Sequence, residues 1–191
     1  MSINTLLLSD VIIKERSIVH GNVDPKLIYN DIKIAQDFYI KPILGSALFE
    51  KIQDAVTAND WTGLSDYKAL LDNYIIDALV QFTLAELPGN SYQFTNKGVV
   101  RKQGENTDLP SMSDLVSISN RYRERGEGYA KKLKLYLQAS VATNKFPEYT
   151  APGNTVDTIF PDQTSFTMPV YLGDDDNCNR PGIFPNKPYS G

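Results

Sequence analysis

Cysteine and histidine are almost missing from this sequence. One cysteine, Cys178, cannot close an internal disulfide, and one histidine, His20, cannot anchor a multi-ligand zinc site. Those counts exclude disulfide mini-scaffolds, zinc fingers, thiol hydrolases that rely on other histidines, and most transition-metal enzymes. Long apolar runs are missing too. The cluster Leu6-Leu7-Leu8 has no basic residue before it and meets Asp10 at once, so it does not read as a signal peptide. No stretch approaches the roughly 18 to 20 apolar residues that span a bilayer. The expectation is no membrane contact and folding in the compartment of synthesis. Positive charge is not in excess either. The net charge of −4 argues against a surface devoted to nucleic acid, though it leaves room for a local basic strip. What remains is 191 residues with 41% hydrophobic and 10% aromatic side chains, enough for one domain with a real core.

Proline divides the chain. Seven of the 11 prolines lie after residue 142, in a stretch with no helical period. Residues 143–191 hold three basic against six acidic side chains, whereas 1–142 is close to neutral. The expectation is a body, 1–142, followed by an extended acidic arm, 143–191. Disordered linkers are usually poor in aromatics, yet this arm carries Phe146, Tyr149, Phe160, Phe166, Tyr171, Phe184 and Tyr189. Aromatics spaced among prolines suit an arm whose side chains fill separate pockets on another surface. Packing back on its own body is the other reading; docking on neighbouring subunits or partners is the one favoured.

The body reads as mainly α: a helical bundle with one β-hairpin insertion and a long last helix. Asp24-Pro25 is a strong helix start, and Ile28, Ile32, Ala35 and Tyr39 recur at helical spacing after it. Pro42 is expected to stop or kink that helix, and can open the next. Leu44, Ala47, Leu48, Ile52, Ala55 and Val56 continue to about Asn59. Ser65 is expected to cap the next helix, whose stripe is Tyr67, Leu71, Tyr74, Ala78, Phe82 and Ala85, and Pro88-Gly89 ends it. Two short β-prone runs around Asn96-Lys97-Gly98 predict a hairpin at about 91–103. Ser113 is expected to cap the last helix, which runs to about Ala139 and would be roughly 40 Å long.

The residues offer no catalytic constellation, so the chain is expected not to be an enzyme and to need no cofactor or metal. Gly126-Glu127-Gly128 lacks the preceding strand, the third glycine and the Gly-Lys-Ser/Thr element of a phosphate loop. Within a helix those glycines mark a bend or a close contact. Asp174-Asp175-Asp176-Asn177 fails the calcium-loop pattern and reads as a solvated acidic run. His20 reads as a turn residue, and acidic neighbours disfavour the thiolate of Cys178. The long helix is biased to +3 by Arg121, Arg123, Arg125, Lys131, Lys132 and Lys134 against Asp114, Glu124 and Glu127. Those six are either a solvated face or a strip that tolerates phosphate.

Asn22-Val23-Asp24-Pro25-Lys26-Leu27-Ile28, then Ile34 to Gly45 with its Ile40-Lys41-Pro42-Ile43-Leu44-Gly45, resembles the head–tail connector (adaptor, or head-completion) proteins of tailed bacteriophages. The similarity is to those of crAss-like phages and related Bacteroidetes prophages above all. The helix from Tyr67 to Glu86, the hairpin and the Tyr122…Tyr129…Leu133 helix follow in the same order, so the resemblance covers roughly 9–140. It implies a non-enzymatic virion protein, made in the host cytoplasm, that forms a usually twelve-fold ring at the head–tail interface. Its implied partners are further copies of itself, the portal protein, tail or neck proteins and, transiently and non-specifically, passing duplex DNA. On that reading the six basic residues of the last helix face the channel. The alternative is a small helical binding module or regulator that contacts nucleic acid through the basic residues of 113–139.

Overall fold

Ser9 caps the first short helix, α1 (Asp10–Arg16), its side chain accepting the Ile12 N–H. Asp24 repeats the device at α2 (Pro25–Ala35), accepting the Lys26 N–H at 3.0 Å with proline at the first helical position. The computed structural model describes residues 5–95, 98–101, 111–151 and 159–162. Beyond α2 the chain passes through a π-turn, Gln36–Ile40, straight into α3 (Lys41–Leu44). Pro42 thus opens α3, one of the roles the sequence allows it, and the stop falls at Gly45. The Lys41 N–H reaches back five residues to the Gln36 carbonyl, and this wider turn makes room for the proline ring one residue later. Gly45 ends the rod with φ +77°, a conformation side chains resist.

Helix α4 (Ser46–Ala58) ends on Asn59 in the left-handed region. Then α5 (Ser65–Leu70), a second π-turn (Leu71–Ile75) and α6 (Ile76–Glu86) form one continuous rod. Leu64, not Ser65, is its N-cap residue, with no side-chain cap bond; Ser65 already has helical backbone. Tyr67, Leu71, Ala78, Phe82 and Ala85 of the expected stripe are buried, and Tyr74 is half-buried. The π-turn shifts the phase of the rod, so Ile75, Ile76, Leu79 and Val80 are buried too. That is the burial of a central helix, and α6 packs between α2 on one side and the last long helix on the other. A 3-10 turn, Leu87–Ser91, follows at Pro88-Gly89, and β1 (Tyr92–Thr95) pairs antiparallel with β2 (Gly98–Arg101), Phe94 opposite Val99.

The last long helix, α7 (Met112–Val141), starts on Ser111 rather than Ser113. Ser111 accepts the Asp114 N–H at 3.2 Å, and Asp114 accepts the Ser111 N–H at 2.9 Å, a reciprocal capping box. Thirty residues make it about 45 Å long. Its buried side chains are Gly126, Ala130, Leu133, Leu137 and Ser140, alternating steps of four and three that define one face.

Two further segments close the core. Near the N-terminus Leu7 and Leu8 are buried, and two glutamine amides replace the water the backbone there loses. Gln36 donates to the Thr5 carbonyl at 3.2 Å and accepts the Leu7 N–H at 3.1 Å, while Gln53 donates to the same carbonyl at 2.7 Å. After α7 the expected boundary at 142 fails. Pro147 starts a short α8 (Pro147–Thr150), and Phe146 and Tyr149 are 3% and 1% exposed in the body's core. The root of the arm is thus part of the bundle, because these two rings find apolar partners there: Phe146 meets Tyr67 edge-on at 5.2 Å between centroids.

Candidate assembly surfaces

The contact between α6 and α7 is organised by an aromatic stack. Phe82 lies flat on Tyr39, centroids 4.2 Å apart and planes within 5°. Gly126 lets α7 close on the other side: a Cβ there would stand 2.7 Å from the Phe82 ring. So the first glycine of Gly126-Glu127-Gly128 is a close helix contact, while Gly128 faces open space. The Tyr39 hydroxyl donates to Glu86 at 2.8 Å, and Arg123 lies 3.6 Å from the same carboxylate oxygen. Burial, and then the Glu86 carboxylate, push the Tyr39 phenol above its ordinary value. The Arg123 Nε is buried with no hydrogen-bond partner.

Beyond this stack α7 outruns the bundle. Met112, Leu115, Val116 and Ser119 continue the face that holds Gly126, Ala130, Leu133 and Leu137, keeping steps of three and four. Ser119 still touches the body, donating to the Ala85 carbonyl at 2.7 Å. Met112 and Val116 do not bury; they are 59% and 49% exposed. They border an open groove of about 400 Å³ whose walls are Ala85, Pro88 and Leu115, with Glu86 and Arg123 at its polar end. Sequence reasoning missed this groove, although the periodicity running back to Met112 carried the information.

The six basic residues of α7 do not form a single strip. At 100° per residue, Arg121, Arg125 and Lys132 fall within about 40° of one another on one edge. All three are exposed; Arg125 lies 5.6 Å from the Tyr122 ring and Lys132 5.6 Å from the Tyr74 ring. Lys131 is exposed too, but about 100° around the helix from Lys132. Arg123 and Lys134, eleven residues apart, flank the buried face and are held by the body, Arg123 against Glu86 and Lys134 to Asp162 at 2.6 Å. Those two are structural partners rather than a free basic surface.

The aromatic residues of the arm also divide. Phe146 and Tyr149 belong to the core. Glu148 between them is clamped by Lys51 and by the Tyr67 hydroxyl, which donates at 2.7 Å; Lys51 also donates to Tyr67 at 3.1 Å. Burial pushes the Glu148 carboxyl up, but the bonds from Lys51 and Tyr67 outweigh it and hold it below the usual range. The hydrogen bond to Glu148 raises Lys51, and burial followed by Glu148 raises Tyr67. Residues 159–162 form a second attachment. The Ser46 N–H donates to the Ile159 carbonyl and the Ile159 N–H to the Ser46 hydroxyl, both at 2.9 Å, and the Asp162 N–H donates to the Pro42 carbonyl at 2.9 Å. Pro161 is buried over Gly45, yet Phe160 is 68% exposed. Phe166, Tyr171, Phe184 and Tyr189, with Asp174–Asp176, lie outside the described residues.

Among the described residues no three acidic, histidine or cysteine side chains gather as metal ligands, and no helix is long and apolar enough to cross a membrane. The recurrent theme is surfaces built for packing: an apolar groove, a basic edge and a pinned aromatic. No curated protein and no solved structure matches the chain. Residues 40–159, from the end of the first π-turn to the docked segment, match the family of unknown function DUF6712, and the chain belongs to that family.

Proposed function

We propose that this protein is a structural, non-enzymatic subunit of a ring at the portal vertex of a tailed phage, a head–tail connector that extends the DNA channel. The observation that carries the reading is the core-facing stripe of α7, which continues to Met112 and Val116 where the described residues of its own body no longer cover it. A 30-residue helix exceeds what this small bundle needs, and its surplus end suits a subunit completed by neighbours. The order of elements supports the same reading through its resemblance to connectors. In that assembly the β1–β2 ladder and the chain beyond Asp162 make contacts with neighbouring subunits, the portal or neck proteins.

The basic edge fits a conduit. Arg121, Arg125 and Lys132 lie about a third of a turn from the apolar face, so one helix serves a neighbour and a channel at once. Genome passage calls for weak, sequence-blind contacts, and Glu124 and Glu127 dilute the field of these cations within a Debye length of about 8 Å. Electron microscopy of the purified full chain and of particles carrying it tests the proposal. Closed rings of about twelve copies at the vertex are expected. Only monomers or dimers there would overturn it, and tight, steeply salt-dependent duplex binding by the free chain would favour a nucleic-acid-binding module instead.

A further inference from the structure

We propose that the groove at the uncovered end of α7 receives Phe160 of the next copy of the chain, so that every subunit carries both halves of one head-to-tail contact. This rests on the assembly reading above and names its contact.

The groove is small and open, apolar along Ala85, Pro88, Met112, Leu115 and Val116 and polar along Glu86, Ser119, Asn120 and Arg123; its volume of about 400 Å³ admits one or two side chains rather than a helix. Two of its groups suit an aromatic ring. A methionine thioether packs well at a ring edge, and a guanidinium sits favourably over a ring face. Met112 is more than half exposed in the free subunit, and Arg123 brings its guanidinium to the groove with its Nε unpartnered.

The knob is held out ready-made. An aromatic side chain at 68% exposure costs solvation, and a flexible segment would turn it inward. The backbone that carries Phe160 is fixed on both sides of it. Ile159 is bonded to Ser46 through both its N–H and its carbonyl, and Asp162 is bonded to Pro42 and paired with Lys134. Pro161 is seated so closely on Gly45 that a Cβ at 45 would come within 2.8 Å of its ring. A side chain presented on a rigid mount loses little entropy on docking, which is how an anchor residue gains affinity. Ile159, 42% exposed beside it, widens the apolar contact.

Knob and hole cannot satisfy each other within one chain. Phe160 is mounted beside Lys134, eighteen residues and about 27 Å of helix from Val116, and its exposure shows that it fills no groove of its own subunit. Because the two surfaces differ, the contact is heterologous: each copy gives a knob to one neighbour and takes one from the other. Such contacts propagate, and close into a ring when the rotation permits.

The test uses full-length protein in a Cys178→Ser background. Chains carrying Val116→Cys are mixed with chains carrying Ile159→Cys, which keeps the Phe160 ring, and oxidised, and wild type and Phe160→Ala are compared by sedimentation over a concentration series. The expected result is a disulfide-linked heterodimer enriched at least tenfold over either chain alone, with Phe160→Ala weakening assembly at least tenfold while its circular dichroism and melting match wild type. Assemblies that persist in Phe160→Ala with no 116–159 cross-link would overturn this pairing and leave the ring reading standing. Wild type that stays monomeric at every concentration, together with no cross-link between the cysteine variants, would overturn both.

Discussion

Along one face of α7 two regions share a register and differ in cover. Leu133 and Leu137 are fully buried, whereas Met112 and Val116 are 59% and 49% exposed. The side chains at both ends are apolar and similarly spaced, so the pattern does not set burial; what lies opposite does. At the covered end α6, the second π-turn and α8 supply the partners. At the uncovered end local chemistry holds the helix instead, through the Ser111–Asp114 capping box. Isolated helical turns are marginal in water, and a reciprocal cap is a direct way to hold a first turn that has little packing.

The sharpest way to probe that difference is to truncate both ends. Leu137→Ala is expected to cost the free subunit about 2–5 kcal/mol, because it leaves a cavity under a fully buried side chain. Val116→Ala should stay within about 0.5 kcal/mol in the free chain and show its effect only on assembly. Urea denaturation of the two variants checks the contrast, and equal losses would erase it. The two glycines give a smaller version. Gly126→Ala drives a methyl into the Phe82 ring and is expected to destabilise by about 1–3 kcal/mol. Gly128→Ala meets nothing and should stabilise by about 0.5–1 kcal/mol. Thermal melts should move in opposite directions. Ser111→Ala should cost about 1 kcal/mol and act on the uncovered end, seen as faster amide exchange over 112–116 with 130–137 unchanged.

The smallest expected effect is on pH, and it belongs to the covered end. Glu148 has a lowered pKa, so its contribution is present above the unfolded carboxylate value of about 4.3 and is lost as pH falls through the lower folded value. Lys51 and Tyr67 have raised pKa values, so their contributions are full below about 10 and are lost as pH rises through the folded values. Stability should therefore fall at both extremes. Glu148→Gln should flatten the acid limb, and an unchanged acid limb in that variant would show that the clamp on α8 contributes nothing.

Much of the helical layout was legible because periodicity and capping are local. Asp24-Pro25 marks a start, and Ile28, Ile32 and Ala35 mark a buried face. The π-turns were not legible: they depend on i→i+5 bonds that the rods adopt to meet packing and the ring of Pro42. Phe146 and Tyr149 were misread as docking residues because proline-rich composition hid the helix start at Pro147. The partners of Glu148, Lys51 and Tyr67, lie 97 and 81 residues away. The division of the basic residues was readable by angular arithmetic, since Arg123 and Lys134 fall beside the buried stripe while Arg121, Arg125 and Lys132 do not. The groove was readable in part: the stripe reaches Met112, but only the structure shows that none of the described residues covers it there.

The central claim is that the uncovered end of α7 is covered by another molecule in the working assembly. Thiol labelling of Val116→Cys, in the Cys178→Ser background, reads this directly, with Leu133→Cys as the buried control. In the free subunit Cys at 116 should label rapidly and Cys at 133 slowly; in assembled rings labelling at 116 should slow at least tenfold and approach that at 133. Labelling at 116 that is as fast in the assembly as in the free chain would contradict the account.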